Sequence, residues 1–197
     1  MNFLAHIYLS GNDKELQIGN FIADGIRGKD YLKFPEQVSK GIILHRAIDT
    51  FTDNHEIFRH TKRIFQPKYG LYSGIIVDLV YDHFLAKNWH EYHSEDLYTY
   101  TQNFYSLLQA NLDILPDKTL HLLPYMKQQN WLYNYRTLQG IGQIMAQMDR
   151  RTGFKSQMTD ALKDLTSNYH EIQHDFTVFF VELIKYTQIK LFEINQR

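Results

Sequence analysis

Cysteine is absent from the 197-residue chain. Its absence excludes a disulfide framework, a thiolate zinc site, an iron–sulfur cluster and a cysteine nucleophile. Proline occurs four times and glycine ten times. So few breakers favour long uninterrupted elements over a loop-rich β fold. Excess charge is also lacking: the formal net charge is −1, whereas a general nucleic-acid binder is normally strongly basic. Apolar stretches such as 74–77 and 176–183 fall far short of the about 18 residues of a membrane span. The apolar opening 1–9 carries neither a basic lead nor a small-residue cleavage site, so it does not read as a signal peptide. A cytoplasmic location is the expectation.

What the chain does hold is aromatic and imidazole side chains. There are 14 Tyr, 13 Phe and ten His, within a hydrophobic content of 44%. The length suits one domain over 1–197, large enough to bury a core without covalent staples. With no thiolate available, any transition-metal site must draw on His, Asp and Glu.

Apolar residues recur at three- and four-residue spacing almost throughout, which is a helical period. The expected fold is an all-α, single-domain helical bundle. Phe3, Leu4 and Ile7 suit a short first helix, and Asp13 caps a second. Pro35 opens a third helix running to about Asn54, and a fourth is expected to end before Pro67. Residues 72–89 form a further helix, Ser94 is expected to cap the next, and Pro116 and Pro124 bracket a short turn or helix. The span 131–150 reads as helix interrupted by Gly140 and Gly142. From Gln157 onward about 40 residues keep the helical period, or roughly 60 Å as one rod. That exceeds a compact chain with a radius of gyration near 16 Å, so the rod is either broken or packed against a second subunit in a homodimer.

The third helix carries His45, Asp49 and Asp53 four residues apart, hence on one stripe. The surrounding Ile42, Ile43, Leu44, Ile48 and Phe51 are apolar, and unpaired charge inside such a helix is costly. A salt-bridged face, with Arg46 or Arg59 neutralising the acids, is the plain alternative. Three other apolar segments also deliver His or Asp: His6 in the first helix, Asp24 after the second, and Asp78, Asp82 and His83 within 72–89. A shared polar pocket between facing helices would use them together. The candidate metal ligands are Asp24, His45, Asp49, Asp82 and Asp53. A His/Asp set without Cys suits Mn²⁺, Fe²⁺ or Mg²⁺, ions that acidify water and polarise a phosphoryl oxygen. Arg27 and Arg46 lie beside these acids and are candidates to clamp a phosphate; a structural ion pair with a neighbouring Asp is the other reading of each.

Four motifs then stand in order across the first 90 residues: Asn2-Phe3-Leu4-Ala5-His6; Gly19-Asn20 with Asp24, Arg27 and Gly28; Gly41 through His45-Arg46, Asp49 and Phe51-Thr52-Asp53; and Asp82-His83-Phe84-Leu85, with Trp89 following. Together they resemble the acyl carrier protein phosphodiesterases. The resemblance implies a helical fold distantly related to the HD phosphohydrolases and a divalent-metal, Mn²⁺-dependent hydrolase. The implied reaction removes 4′-phosphopantetheine from the serine of holo-acyl carrier protein. Within these motifs no His is followed directly by Asp, unlike the pair of ordinary HD enzymes, so the resemblance does not single out which acids touch the ion. Within it, Arg46 or Arg27 would stabilise phosphoryl charge, and His83 or His6 would protonate the leaving serine oxygen.

Because carrier proteins are acidic, a basic docking patch is expected, and Arg59, Lys62, Arg63 and Lys68 cluster after the metal-candidate helix. The remaining histidines, such as His90, His93, His121, His170 and His174, sit in polar stretches and read as surface residues. Two rival readings remain: an HD-like hydrolase of a nucleotide or other small phosphodiester, and a non-catalytic helical module that binds carrier protein.

Overall fold

The computed structural model describes residues 1–196. Helix follows helix along the chain: α1 (Phe3–Leu9), α2 (Lys14–Ile22), α3 (Glu36–Asn54), α4 (Glu56–Tyr69), α5 (Ser73–Lys87) and α6 (Leu97–Gln109). Then come α7 (Asp117–Gln128), α8 (Trp131–Asn134), α9 (Leu138–Arg151), α10 (Ala161–Ser167) and α11 (Tyr169–Asn195). No strand occurs among the described residues, so the all-α expectation holds.

α5 is the axis of the bundle. From Ile76 to Ala86 nearly every side chain is buried, Asp82 and His83 included. A helix apolar on all sides must be covered on all sides, and α1, α4, α9 and α11 pack around it. α3 lies against α2, α4 and α11.

The α2–α3 crossing is the tightest contact that bears on function. A Cβ on Gly19 would lie 2.0 Å from the Val38 carbonyl oxygen, and one on Gly41 would lie 2.4 Å from that of Leu16. Only glycine at both positions lets the two backbones meet. The two glycines of the sequence motifs therefore set how closely α3 approaches α2.

Helix starts follow local chemistry where a short polar side chain is available. Asp13 accepts from the Leu16 N–H at 3.0 Å, and Thr137 accepts from the Gly140 N–H at 3.0 Å; both are ordinary N-caps. The cap of α6 is Asp96, accepting from the Thr99 N–H, and not Ser94. Pro67 and Pro124 do not end helices; they sit inside α4 and α7. Proline there forgoes one backbone bond, at a cost of about 3 kcal/mol. Burial of Phe58, Phe65 and Tyr69 along α4, and of Leu123 and Met126 along α7, outweighs it. The break in 131–151 falls at 135–137, ahead of the glycines.

The long C-terminal pattern is broken at Asn168, between α10 and α11. α11 has 27 residues, about 40 Å. It lies along α3 and α4, with Ile172, Phe176, Phe179, Phe180 and Leu183 inward.

Candidate metal centre

The site is built on the N-terminal helices. Asn20, fully buried on α2, organises it. Its Nδ2 donates to the His6 carbonyl oxygen and to Ser10 Oγ, each at 2.9 Å. That leaves its Oδ1 to accept from His6 Nδ1 at 2.7 Å. The backbone carbonyl oxygen of Asn20 accepts from His45 Nδ1 at 2.8 Å, across the glycine-lined crossing. Both imidazoles thus carry a proton on Nδ1 and turn Nε2 inward, the arrangement that outer partners impose on metal-binding histidines. The two rings stack, with centroids 4.0 Å apart.

Oxygen atoms surround those two nitrogens. His6 Nε2 faces Asp49 Oδ1 at 3.3 Å and the Met1 carbonyl oxygen at 3.2 Å. His45 Nε2 faces Asp49 Oδ2 at 3.0 Å and Asp24 Oδ1 at 3.3 Å. Acceptors facing acceptors require a proton or a cation between them. Protons do not serve both rings, since two stacked imidazolium ions repel. Burial, together with the charge of His45, drives His6 down to about 4. For His45 burial acts in the same direction, but Asp24 and Asp49 together outweigh it and raise it to about 9. Asp49 is buried enough to resist ionisation, yet hydrogen bonds from His45 and His6 hold it well below the usual carboxylate range. Hydrogen bonding from His45 likewise lowers Asp24.

Donor atoms of His6, His45 and Asp49 lie within 4.8 Å of one another, a triad able to hold a metal ion. The donor chemistry fits one: a neutral His6 nitrogen, a His45 nitrogen whose proton a cation would displace, and a carboxylate held ionised, with Asp24 alongside. The triad lines a cavity of about 430 Å³, whose walls also include Thr52, Asp53, Asp78, Lys118 and Met148.

Of the residues expected from sequence, the structure brings His6, Asp24, His45, Asp49 and Asp53 to this cavity. His6, expected as a proton donor, stands among the candidate ligands instead. Asp82 and His83 do not join them. Asp82 accepts from the backbone N–H groups of Leu4 at 2.7 Å and Ala5 at 3.3 Å, satisfying the start of α1 from within the core. His83 pairs Nδ1 with the Tyr135 carbonyl oxygen at 2.7 Å and Nε2 with the Tyr169 hydroxyl at 2.8 Å. The Arg46 guanidinium donates to the Gly28 and Ile26 carbonyl oxygens at 2.8 and 3.0 Å and sits over the Tyr31 ring, tying down the loop before α3. Arg27 is exposed and outside the cavity lining.

Four features escaped the sequence reading. Asn20 was visible as a polar residue in an apolar helix, but its role depends on the α2–α3 crossing. Thr52 presents a buried Oγ1 with no hydrogen-bond partner. Lys118 enters from α7, far along the chain, where nothing local marks it. Asp78, seen only as one of three polar residues in α5, meets the Met1 amine at 2.8 Å.

The model of one family, acyl carrier protein phosphodiesterase, matches residues 1–183. Curated relatives agree. The acyl carrier protein phosphodiesterase of Serratia proteamaculans is 30% identical over 96% of this chain and 99% of its own length. That of Photorhabdus laumondii is 28% identical over 98% of both chains, and that of Klebsiella pneumoniae is 30% identical over 96% of this chain and 99% of its own. No solved structure matches the chain.

Proposed function

The chain belongs to the acyl carrier protein phosphodiesterase family, and from that premise we propose that it hydrolyses the phosphodiester of holo-acyl carrier protein. Water adds to phosphorus, the bond from phosphorus to the serine oxygen breaks, and the serine oxygen takes a proton. The products are apo-carrier protein and free 4′-phosphopantetheine. Residues 1–197 act as one catalytic domain in this reading. The observation that carries it is the convergence of the His6 and His45 Nε2 atoms with Asp49 on one point of an open cavity.

His6, His45 and Asp49 would hold a divalent ion, Mn²⁺ for preference, with Mg²⁺ or Fe²⁺ accommodated by the same donors. Such an ion supplies Lewis acidity toward a phosphoryl oxygen and acidifies water. Asn20 keeps both imidazoles in the tautomer that binding needs. Asp24 and Asp53, exposed at the mouth, are placed to orient the attacking water. Lys118, close enough to Asp24 to favour its ionised form, takes the charge-stabilising role expected of Arg46 or Arg27. No helix is long and apolar enough to cross a membrane among the described residues, in keeping with a carrier-protein substrate met in solution. A homodimer would use the outer face of α11, where Val178, Val181, Ile189 and Phe192 are exposed.

The deciding experiment weighs holo-carrier protein by mass spectrometry after incubation with the enzyme and Mn²⁺. Loss of the prosthetic-group mass is the expected result, abolished by chelator. An unchanged carrier mass with Mn²⁺, Mg²⁺ and Fe²⁺ in turn would overturn the reading.

A further inference from the structure

A second recess adjoins the metal cavity, and Lys118 lines both. It is a groove of about 540 Å³ between α7 and α9, edged by Lys118, His121, Tyr125, Arg150 and Arg151, with Trp131 in its floor. Its two arginines are not spent on the protein. Arg150 and Arg151 are exposed and make no ion pair among the described residues. The acid next to them in sequence, Asp149, is turned inward. Its carboxylate accepts from Ser156 Oγ, the Met158 N–H, and the N–H and Oγ1 of Thr159, at 2.5 to 2.9 Å. Buried and fully bonded, it anchors the loop after α9 and leaves the two arginines unneutralised. Tyr125, 60% exposed, adds a rigid amphipathic side chain of the kind that anchors interfaces.

The basic face of α4 differs. Lys68 pairs with Asp164. The Arg59 guanidinium donates to the Asp53 carbonyl oxygen and to Asn54 Oδ1, both at 2.9 Å. His60, on the same helix, faces Asp175 and Glu171. Among the described residues Lys68 alone of Arg59, Lys62, Arg63 and Lys68 pairs with an acid, but none of the four lines the metal cavity or the groove beside it.

We propose that the α7–α9 groove, and not the α4 face, docks the acidic surface of the carrier protein, so that the serine-linked arm passes Lys118 into the metal cavity. This rests on the reading that carrier protein is the substrate. The groove supplies complementary charge for a fast, salt-sensitive encounter, and its continuity with the cavity gives the arm a path to the reacting phosphorus.

The test is binding of fluorescently labelled apo-carrier protein, which has no prosthetic group to lose, followed by anisotropy at several salt concentrations. Arg150→Glu/Arg151→Glu is expected to weaken binding by about tenfold or more and to flatten its salt dependence. Arg59→Glu/Arg63→Glu is expected to bind like wild type. Unchanged melting temperatures confirm that both variants are folded. On holo-carrier protein the groove variant should raise KM and keep kcat. Wild-type binding by the groove variant, or weakening confined to the α4 variant, overturns the docking assignment and leaves the reaction standing. Groove-dependent binding by an enzyme that never changes the carrier's mass overturns the reaction and leaves the docking standing.

Discussion

Two histidine–aspartate groups lie in the N-terminal half of this protein, and they do opposite things. His6, His45 and Asp49 meet in an open cavity with their Nε2 atoms facing oxygens. Asp82 and His83 lie side by side in α5, at most 1% exposed, with hydrogen-bond partners on both side chains. Residue type and apolar surroundings do not separate the two groups. The partners on the second atom of each side chain do. In the first group Asn20 takes the Nδ1 protons and leaves both Nε2 atoms turned toward the oxygens of Asp24, Asp49 and Met1. In the second, a backbone carbonyl and a tyrosine hydroxyl take both ring nitrogens of His83, and backbone N–H groups take both oxygens of Asp82. Buried polar groups bonded to fixed backbone and hydroxyl partners hold a fold together; nitrogens and carboxylates converging on one open point offer a cation its ligands.

Breaking each group in turn should give the largest contrast. Asp49→Ala removes the carboxylate that faces both imidazoles, and turnover of holo-carrier protein should fall about a thousandfold. That corresponds to about 4 kcal/mol of charge stabilisation, with bound metal lost by elemental analysis. His83→Asn should keep metal content and keep turnover within a few-fold. It should instead lower unfolding stability by about 1–3 kcal/mol, because the partners of a buried ring are left unmatched. Loss of metal in the His83 variant, or full activity in the Asp49 variant, would erase the distinction.

Much of this was legible beforehand because it is local. The period of α3 from about Pro35 to Asn54 places His45, Asp49 and Asp53 on one stripe whatever the rest of the fold does. The Asp13 cap likewise needs only its neighbours. What sequence could not resolve depends on contacts between distant segments. Asp82 looked like a ligand until α1 placed its first N–H groups over it. Arg46 looked like a phosphate clamp until the loop at 26–28 offered its carbonyls. Lys118 reaches the cavity only because α7 packs beside the end of α2. Pro67 and Pro124 misled for a related reason: the burial that keeps α4 and α7 intact is tertiary. The match of the family model to residues 1–183 extends membership well past the 90 residues whose motifs carried the resemblance.

A finer cut leaves every candidate ligand in place. Asn20→Leu removes the acceptor of the His6 Nδ1 proton and both donors that fix the end of α1, yet keeps the backbone carbonyl that serves His45. Affinity for Mn²⁺ should fall about 10- to 100-fold, the usual consequence of losing an outer partner, as followed by metal titration of the chelator-treated protein. Affinity equal to wild type would mean that His6 is oriented by ring stacking on His45 alone, or that it is no ligand.

The smallest effect isolates the second group by pH. Burial raises Asp82 to about 7, against the opposing pull of the Met1 amine and the two backbone N–H groups. A carboxyl whose folded value lies above its unfolded value binds its proton more tightly when folded. Its contribution is therefore complete below about pH 4 and is lost as pH rises through 7. His6, lowered to about 4, runs the other way, losing its contribution as pH falls through 4. His45, raised to about 9, loses its contribution as pH rises through that value. Wild type alone therefore mixes three slopes, and the informative quantity is the difference between wild type and Asp82→Asn. The amide keeps an acceptor for the Leu4 N–H and cannot ionise. In metal-free protein, the unfolding stability of Asp82→Asn relative to wild type should improve from pH 5 to about pH 7 and level off above it. A difference that stays flat across that range would mean that Asp82 is ionised throughout, a charge held in the core by the start of α1 and the Met1 amine, and that the two groups are less unlike than their hydrogen bonds suggest.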